Sequence, residues 1–174
     1  FGLRRYEPAG NAGAGAHVGT ASNNIVLAGD VVSNTTSTAV VIGIGAKAGT
    51  SDTVVGYQAG HALNNDGRNT TAVGNFALPQ ATNPTQKMTA LGSLAGNAVT
   101  TGSSGTFVGY DTGATNCTTG SNILVLGTSG TTDCSVAGAS NEIHIGAGAG
   151  DIFSATGTNT ASTSASTIAG SLNV

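Results

Sequence analysis

The sequence predicts an all-β fold: a parallel β-solenoid or β-roll of stacked coils about 18 residues long. Three observations carry this. The stretch Thr53–Gly60 (TVVGYQAG) returns as Thr70–Leu78 (TTAVGNFAL), Met88–Gly96 (MTALGSLAG) and Gly105–Gly113 (GTFVGYDTG), with looser copies at Thr38–Gly49, Ser121–Gly127 and Asn141–Gly148. Aligned on the central glycine, the anchors are Gly43, Gly56, Gly74, Gly92, Gly109, Gly127 and Gly146, at successive spacings of 13, 18, 18, 17, 18 and 19 residues. Near-constant self-similarity of this kind marks a stacked repeat. Finally, no apolar pattern recurs at helical spacing, and Gly, Thr, Ser and Asn dominate, which disfavours helix.

Each copy reads as a short strand. The residue before the anchor is always aliphatic: Ile42, Val55, Val73, Leu91, Val108, Leu126 and Ile145. Two residues earlier stand Val40, Thr53, Thr71, Thr89, Thr106, Leu124 and Ile143. On a strand these two positions share one face, and the aliphatic ladder makes it the expected inward face. Val41, Val54, Ala72, Ala90, Phe107, Val125 and His144 lie between them and point the other way. The anchor glycine closes the strand at a turn that needs positive φ. Three residues on, a small residue recurs (Ala46, Ala59, Ala77, Ala95, Thr112, Gly130, Ala149), as expected where successive coils meet closely at a corner. Asn24–Asp30 is read as a first imperfect coil with Gly29 as its anchor. One such unit cannot bury its apolar face alone, whereas stacking at about 4.8 Å builds a continuous core. A repeat body of seven such coils, each about 4.8 Å thick, is then expected to be about 35 Å long.

The motifs TAVG (71–74) and TALG (89–92) resemble the head repeats of trimeric autotransporter adhesins. VVGYQAG, TAVGNFAL and the Gly120–Gly146 segment resemble bacteriophage tail-fibre repeats more closely still. The resemblance covers residues 38–150, although the unit here is several residues longer than the adhesin repeat. It implies a homotrimer and a fibre or appendage of a phage virion that contributes to host attachment. The alternative it leaves is the head of a bacterial surface adhesin. Either role implies an extracellular setting, on the virion or on the bacterial surface. Apolar residues on both faces of Val40-Val41-Ile42, Val54-Val55 and Phe107-Val108 give an independent reason to expect a partner chain. A third class is a monomeric ice-binding solenoid, suggested by the aligned Thr53, Thr71, Thr89 and Thr106. It ranks last, because those threonines are expected to face inward.

Three segments follow from composition. Residues 1–20 hold Arg4, Arg5 and Glu7 among Phe1, Leu3 and Tyr6. They read either as a peptide that docks on another virion or fibre protein, or as an N-terminal cap or linker. Residues 21–150 are the repeat body. Residues 151–174 are a Thr/Ser-rich linker, with a further strand expected over Ile168–Val174. Only 7% of the residues are charged and the net charge is −3. That gives no basic footprint for nucleic acid, and no apolar run reaches the length of a membrane span.

No catalytic constellation is visible, so no enzyme activity, cofactor or metal is expected. The acids are dispersed and His17, His61 and His144 stand in unrelated contexts. His144, on the second strand face, could meet its copies at a threefold axis as a metal or anion site, or be an ordinary polar strand residue. Tyr57 and Tyr110 follow anchor glycines; they are corner residues that could also stack on sugar. Surface recognition, of a host glycan or protein, is expected first in two loops. One holds Asn64, Asn65, Asp66 and Arg68; the other, Pro79–Lys87, holds Gln80, Asn83 and Lys87 and two prolines that cannot join a ladder. Both could equally be plain connections.

Cys117 and Cys134 are the only cysteines, 17 residues apart, at eight and seven residues past Gly109 and Gly127. Equivalent places on consecutive coils are about 5 Å apart, a separation a disulfide tolerates. The pair is therefore expected to bridge, contributing about 3 kcal/mol through the unfolded chain and implying an oxidising medium. Two buried free thiols are the alternative.

Overall fold

The protein is described from a computed structural model covering residues 25–27, 30–31, 39–63, 69–82, 87–128, 133–147, 151–156 and 165–167. The first segment, 1–20, and the strand expected over Ile168–Val174 lie outside these residues.

Eight parallel strands stack in the order of the sequence, forming the body of a β-solenoid. They are β1 (Ile25–Leu27), β3 (Val40–Ile42), β5 (Thr53–Val55), β6 (Thr71–Val73), β7 (Thr89–Leu91), β8 (Gly105–Val108), β9 (Ile123–Thr128) and β10 (Glu142–Ala147). The registers match the glycine alignment, pairing Val40 with Thr53, Thr53 with Thr71, Thr71 with Thr89 and Thr89 with Thr106, then Thr106 with Leu124 and Leu124 with Ile143. At the start the alignment is off by one. Leu27 lies opposite Ile42, one residue earlier than a reading with Gly29 as the anchor expects.

Two further walls complete each coil. β2 (Asp30–Val31) pairs in parallel with β4 (Lys47–Ala48). That wall continues as single hydrogen bonds from Lys47 N to Ala59 O, Gly60 N to Ala77 O, Leu78 N to Ala95 O and Gly96 N to Thr112 O. A third ladder runs from Thr82 N to Thr100 O and from Thr100 N to Thr118 O. The solenoid ends in a reversal. β11 (Asp151–Thr156) pairs antiparallel with β10, and β12 (Ala165–Thr167) antiparallel with β11. The Thr/Ser-rich segment thus contributes strands where a linker was expected, because a ladder needs backbone groups rather than apolar side chains.

The faces are the reverse of the expectation. Val41, Val54, Ala72, Ala90, Phe107, Val125 and His144 are buried inside the coils. The aliphatic ladder before the anchors points outward, with Leu91 49% exposed and Ile145 38% exposed. The reason is geometric. The opposite wall sits close, through Ala46, Ala59, Ala77, Ala95 and Thr112, all 0% exposed. A coil that narrow takes Val or Ala on the inner strand face. The largest residue there, Phe107, is accommodated by glycines: a Cβ on Gly105 or Gly113 would come within 2.6 or 2.7 Å of its ring.

The anchors do what a glycine alone can do. Gly56 and Gly74 both have φ 140°, and a Cβ on Gly56 would stand 2.2 Å from the carbonyl oxygen of Gly74. Gly127 and Gly146 differ. β9 and β10 run straight through them, so they do not close their strands at a turn.

Two sites in the stack are improvable. Ser104, Asn122 and Asn141 occupy the same place before successive strands, with φ 57°, 58° and 60°. Asn122 Nδ2 donates to Asn141 Oδ1 at 3.0 Å. Asn tolerates this left-handed conformation better than Ser. Ser104→Asn, which extends the ladder by one rung, is expected to raise stability by about 0.5–1 kcal/mol, read as a higher urea midpoint. Thr112 stands where the preceding coils have Ala46, Ala59, Ala77 and Ala95, and its buried Oγ1 has no hydrogen-bond partner. Thr112→Val keeps the shape and removes the unmatched hydroxyl, so thermal unfolding should shift upward by the equivalent of about 1 kcal/mol.

Candidate interaction face

The outward strand face is an extended surface of aliphatic and threonine side chains. It is built from two parallel columns. Val40, Thr53, Thr71, Thr89, Thr106, Leu124 and Ile143 form one; Ile42, Val55, Val73, Leu91, Val108, Leu126 and Ile145 form the other. Ile25 and Leu27, 53% and 54% exposed, extend both columns by one strand. Eight strands at about 4.8 Å give a face about 34 Å long. It carries no charged side chain in either column. Contiguous exposed apolar surface of this kind marks an interaction site in soluble proteins.

Beside this face, the residues after the anchors form a corner row of Ile44, Tyr57, Asn75, Ser93 and Tyr110. It is held in step by amide-to-carbonyl bonds from Gln58 to Ile44, Phe76 to Tyr57, Leu94 to Asn75 and Asp111 to Ser93. Gln58, Phe76, Leu94 and Asp111 all take left-handed φ between 49° and 59°, a repeated strain that the stacking bonds over-determine. Tyr57 and Tyr110 are exposed at this corner, and Tyr57 packs edge-on against Phe76 with ring centroids 5.4 Å apart.

The two expected recognition loops are only partly placed. Gln80 and Lys87 are exposed, whereas Asn64, Asn65, Asp66, Arg68 and Asn83 lie outside the described residues. His144 does not reach the surface. It faces the coil interior, 1% exposed, and its Nε2 donates to Glu142 Oε2 at 3.1 Å. An imidazole sealed inside its own coil cannot meet copies of itself at a symmetry axis, so that expectation is corrected. Glu142 is buried too, and accepts from Ser135 N at 3.1 Å and from Ser135 Oγ. Ser135 and His144 both bind the carboxylate rather than each other, so the trio lacks a base positioned on a nucleophile. Sequence reasoning missed this pair because the face assignment was inverted; inward, residues two apart must satisfy each other.

Cys117 and Cys134 are joined by a disulfide across consecutive coils, with their Cα atoms 5.1 Å apart. Among the described residues no helix is long and apolar enough to cross a membrane. No protein family, characterised protein or solved structure matches the chain.

Proposed function

We propose that the chain is the repeat body of a structural fibre or appendage of a bacteriophage virion, assembled as a parallel homotrimer and contributing to host-surface attachment. The observation that carries this reading is the outward ridge of aliphatic side chains, continuous over eight strands and without a charge. An outer strand face with an unbroken aliphatic column from Ile42 to Ile145 gains from cover by a partner. Identical copies, aligned in parallel, supply a surface of the same length and register. The repeats' resemblance to phage-fibre sequences gives the assembly its role, with attachment through the loops around Gln80 and Lys87 and docking on other virion proteins through residues 1–20. No enzymatic chemistry is required. The test is an antiserum raised against the purified chain. It should decorate an appendage of phage particles by electron microscopy and slow their adsorption to host cells. Particles that contain the chain in no appendage would remove this reading.

A second reading gains from the structure. Thr53, Thr71, Thr89 and Thr106 face outward in exact succession with Val55, Val73, Leu91 and Val108 beside them. This array of hydroxyls and methyls on a flat ladder suits ice binding by a monomer. Thermal hysteresis from a monomeric chain favours it; a face covered by other copies is unavailable to ice.

A further inference from the structure

Cys117, Asp133 and Cys134 meet at one corner between the coils of β8 and β9, and their two sulfurs and one carboxylate oxygen lie within 4.8 Å of one another. The disulfide is not all that holds them. Thr115 N and Asn116 N donate to Asp133 Oδ2 at 2.9 and 2.8 Å, and Cys134 N donates to Asp133 Oδ1 at 2.9 Å. Asn116 Nδ2 donates to the carbonyl of Cys134 at 3.1 Å, and Cys134 N also points at Cys117 Sγ, 3.1 Å away. Strand ladders on both sides fix the same two coils. With the backbone and the carboxylate held by these bonds, opening the sulfur–sulfur bond requires only that the two sulfurs rotate apart. Asp133 Oδ1 also lies 3.2 Å from Cys117 Sγ. A disulfide sulfur has no proton to give it, and two thiolates beside this carboxylate gather negative charge that a bound cation offsets.

We propose that the reduced corner is a binding site for a thiophilic divalent cation of the zinc type. The thiolates of Cys117 and Cys134 and one oxygen of Asp133 are its protein ligands, and water completes the tetrahedron. Two sulfurs and a carboxylate favour zinc-like ions over calcium or magnesium, which take oxygen alone. The backbone amide directed at Cys117 Sγ, and those holding Asp133, form the supporting shell. Two small thiols carry out the reduction. The Cys117–Cys134 bond breaks, a disulfide forms between the two small thiols, and their protons pass to the two cysteine sulfurs, to be displaced when the metal binds. A small disulfide reverses this: it takes two electrons from the thiolates, the protein bridge re-forms, and the metal leaves. A chain made in a reducing compartment passes through the metal-competent state before it reaches an oxidising one. The site does not depend on the assembly or role proposed above.

The test uses the full chain, reduced with a phosphine, freed of reductant without air and titrated with Co²⁺. One Co²⁺ per chain should bind with a thiolate-to-cobalt charge-transfer band that Zn²⁺ abolishes, and the oxidised chain should show no band. Cys117→Ser should lose the band. Asp133→Asn, whose amide oxygen can still accept from the backbone, should weaken binding by roughly tenfold or more. Circular dichroism monitors the strands throughout. A folded reduced chain without the band, unchanged affinity in Asp133→Asn, or loss of strand signal on reduction would each overturn the proposal.

Discussion

Gly74→Ala is expected to abolish the stacked fold. Its φ of 140° belongs to a region that side chains rarely enter, and a Cβ there would stand 2.3 Å from the carbonyl oxygen of Gly92. Nothing at the end of a flexible side chain is available to yield, because the obstacle is backbone in the next coil. Relief requires the coils to separate, which breaks the hydrogen bond from Gly92 N to Val73 O at 2.8 Å and those beside it. Backbone strain of this class costs about 1–3 kcal/mol alone, and the clash adds to it, so a loss above about 4 kcal/mol is expected. Against a typical stability of about 5–15 kcal/mol, most of the protein should be recovered unfolded or aggregated. Chemical denaturation of the soluble fraction measures this; a midpoint within error of the parent chain would show that the anchors do not stack as described.

The second large effect separates the two strand faces. Val54→Asp puts a carboxylate into the coil interior, where Val54 is 0% exposed and its neighbours along the ladder are Val41 and Ala72. An unpaired buried charge costs several kcal/mol, so this variant should fail to fold. Leu91→Asp, at a residue 49% exposed on the outer ridge, should leave the strand signal intact and disrupt only the assembly. Two aspartates on strands of nearly identical sequence thus give opposite outcomes. Equal damage to strand content from both would mean that the outer ridge is part of the protomer's own core.

The contrast shows what was readable in the sequence. Spacing and glycine alignment defined strand order and register from β3 to β10, because every stacked coil must return its backbone to the same hydrogen-bonding place. The bridge from Cys117 to Cys134 was legible for the same reason. Which face turns inward was not. Period-two alternation identifies two faces, and hydrophobicity normally chooses between them. Here the richer column, Val55, Val73, Leu91 and Val108, lies outside, and the inner column includes Ala72, Ala90 and His144. The dimension that decides is the closeness of the opposite wall at Ala59, Ala77 and Ala95, which a single strand's pattern does not carry. The small residue three past each anchor was the available signal: a corner that admits only Ala leaves little room inside. The buried Glu142–His144 pair was hidden behind the same inversion. The reversal into β11 and β12, built from Asp151–Thr156 and Ala165–Thr167, carried neither the repeat's spacing nor its anchor glycine.

The proposed homotrimer covers an outer face whose aliphatic column, Ile42 to Ile145, runs beside one that includes Thr53, Thr71, Thr89 and Thr106. Sedimentation equilibrium of the intact chain at micromolar concentration addresses that claim most directly. The account predicts a single species at three times the chain mass of 16.7 kDa, reduced to the chain mass by Leu91→Asp with the strands retained. A folded, stable monomer of the parent chain at 16.7 kDa would contradict it.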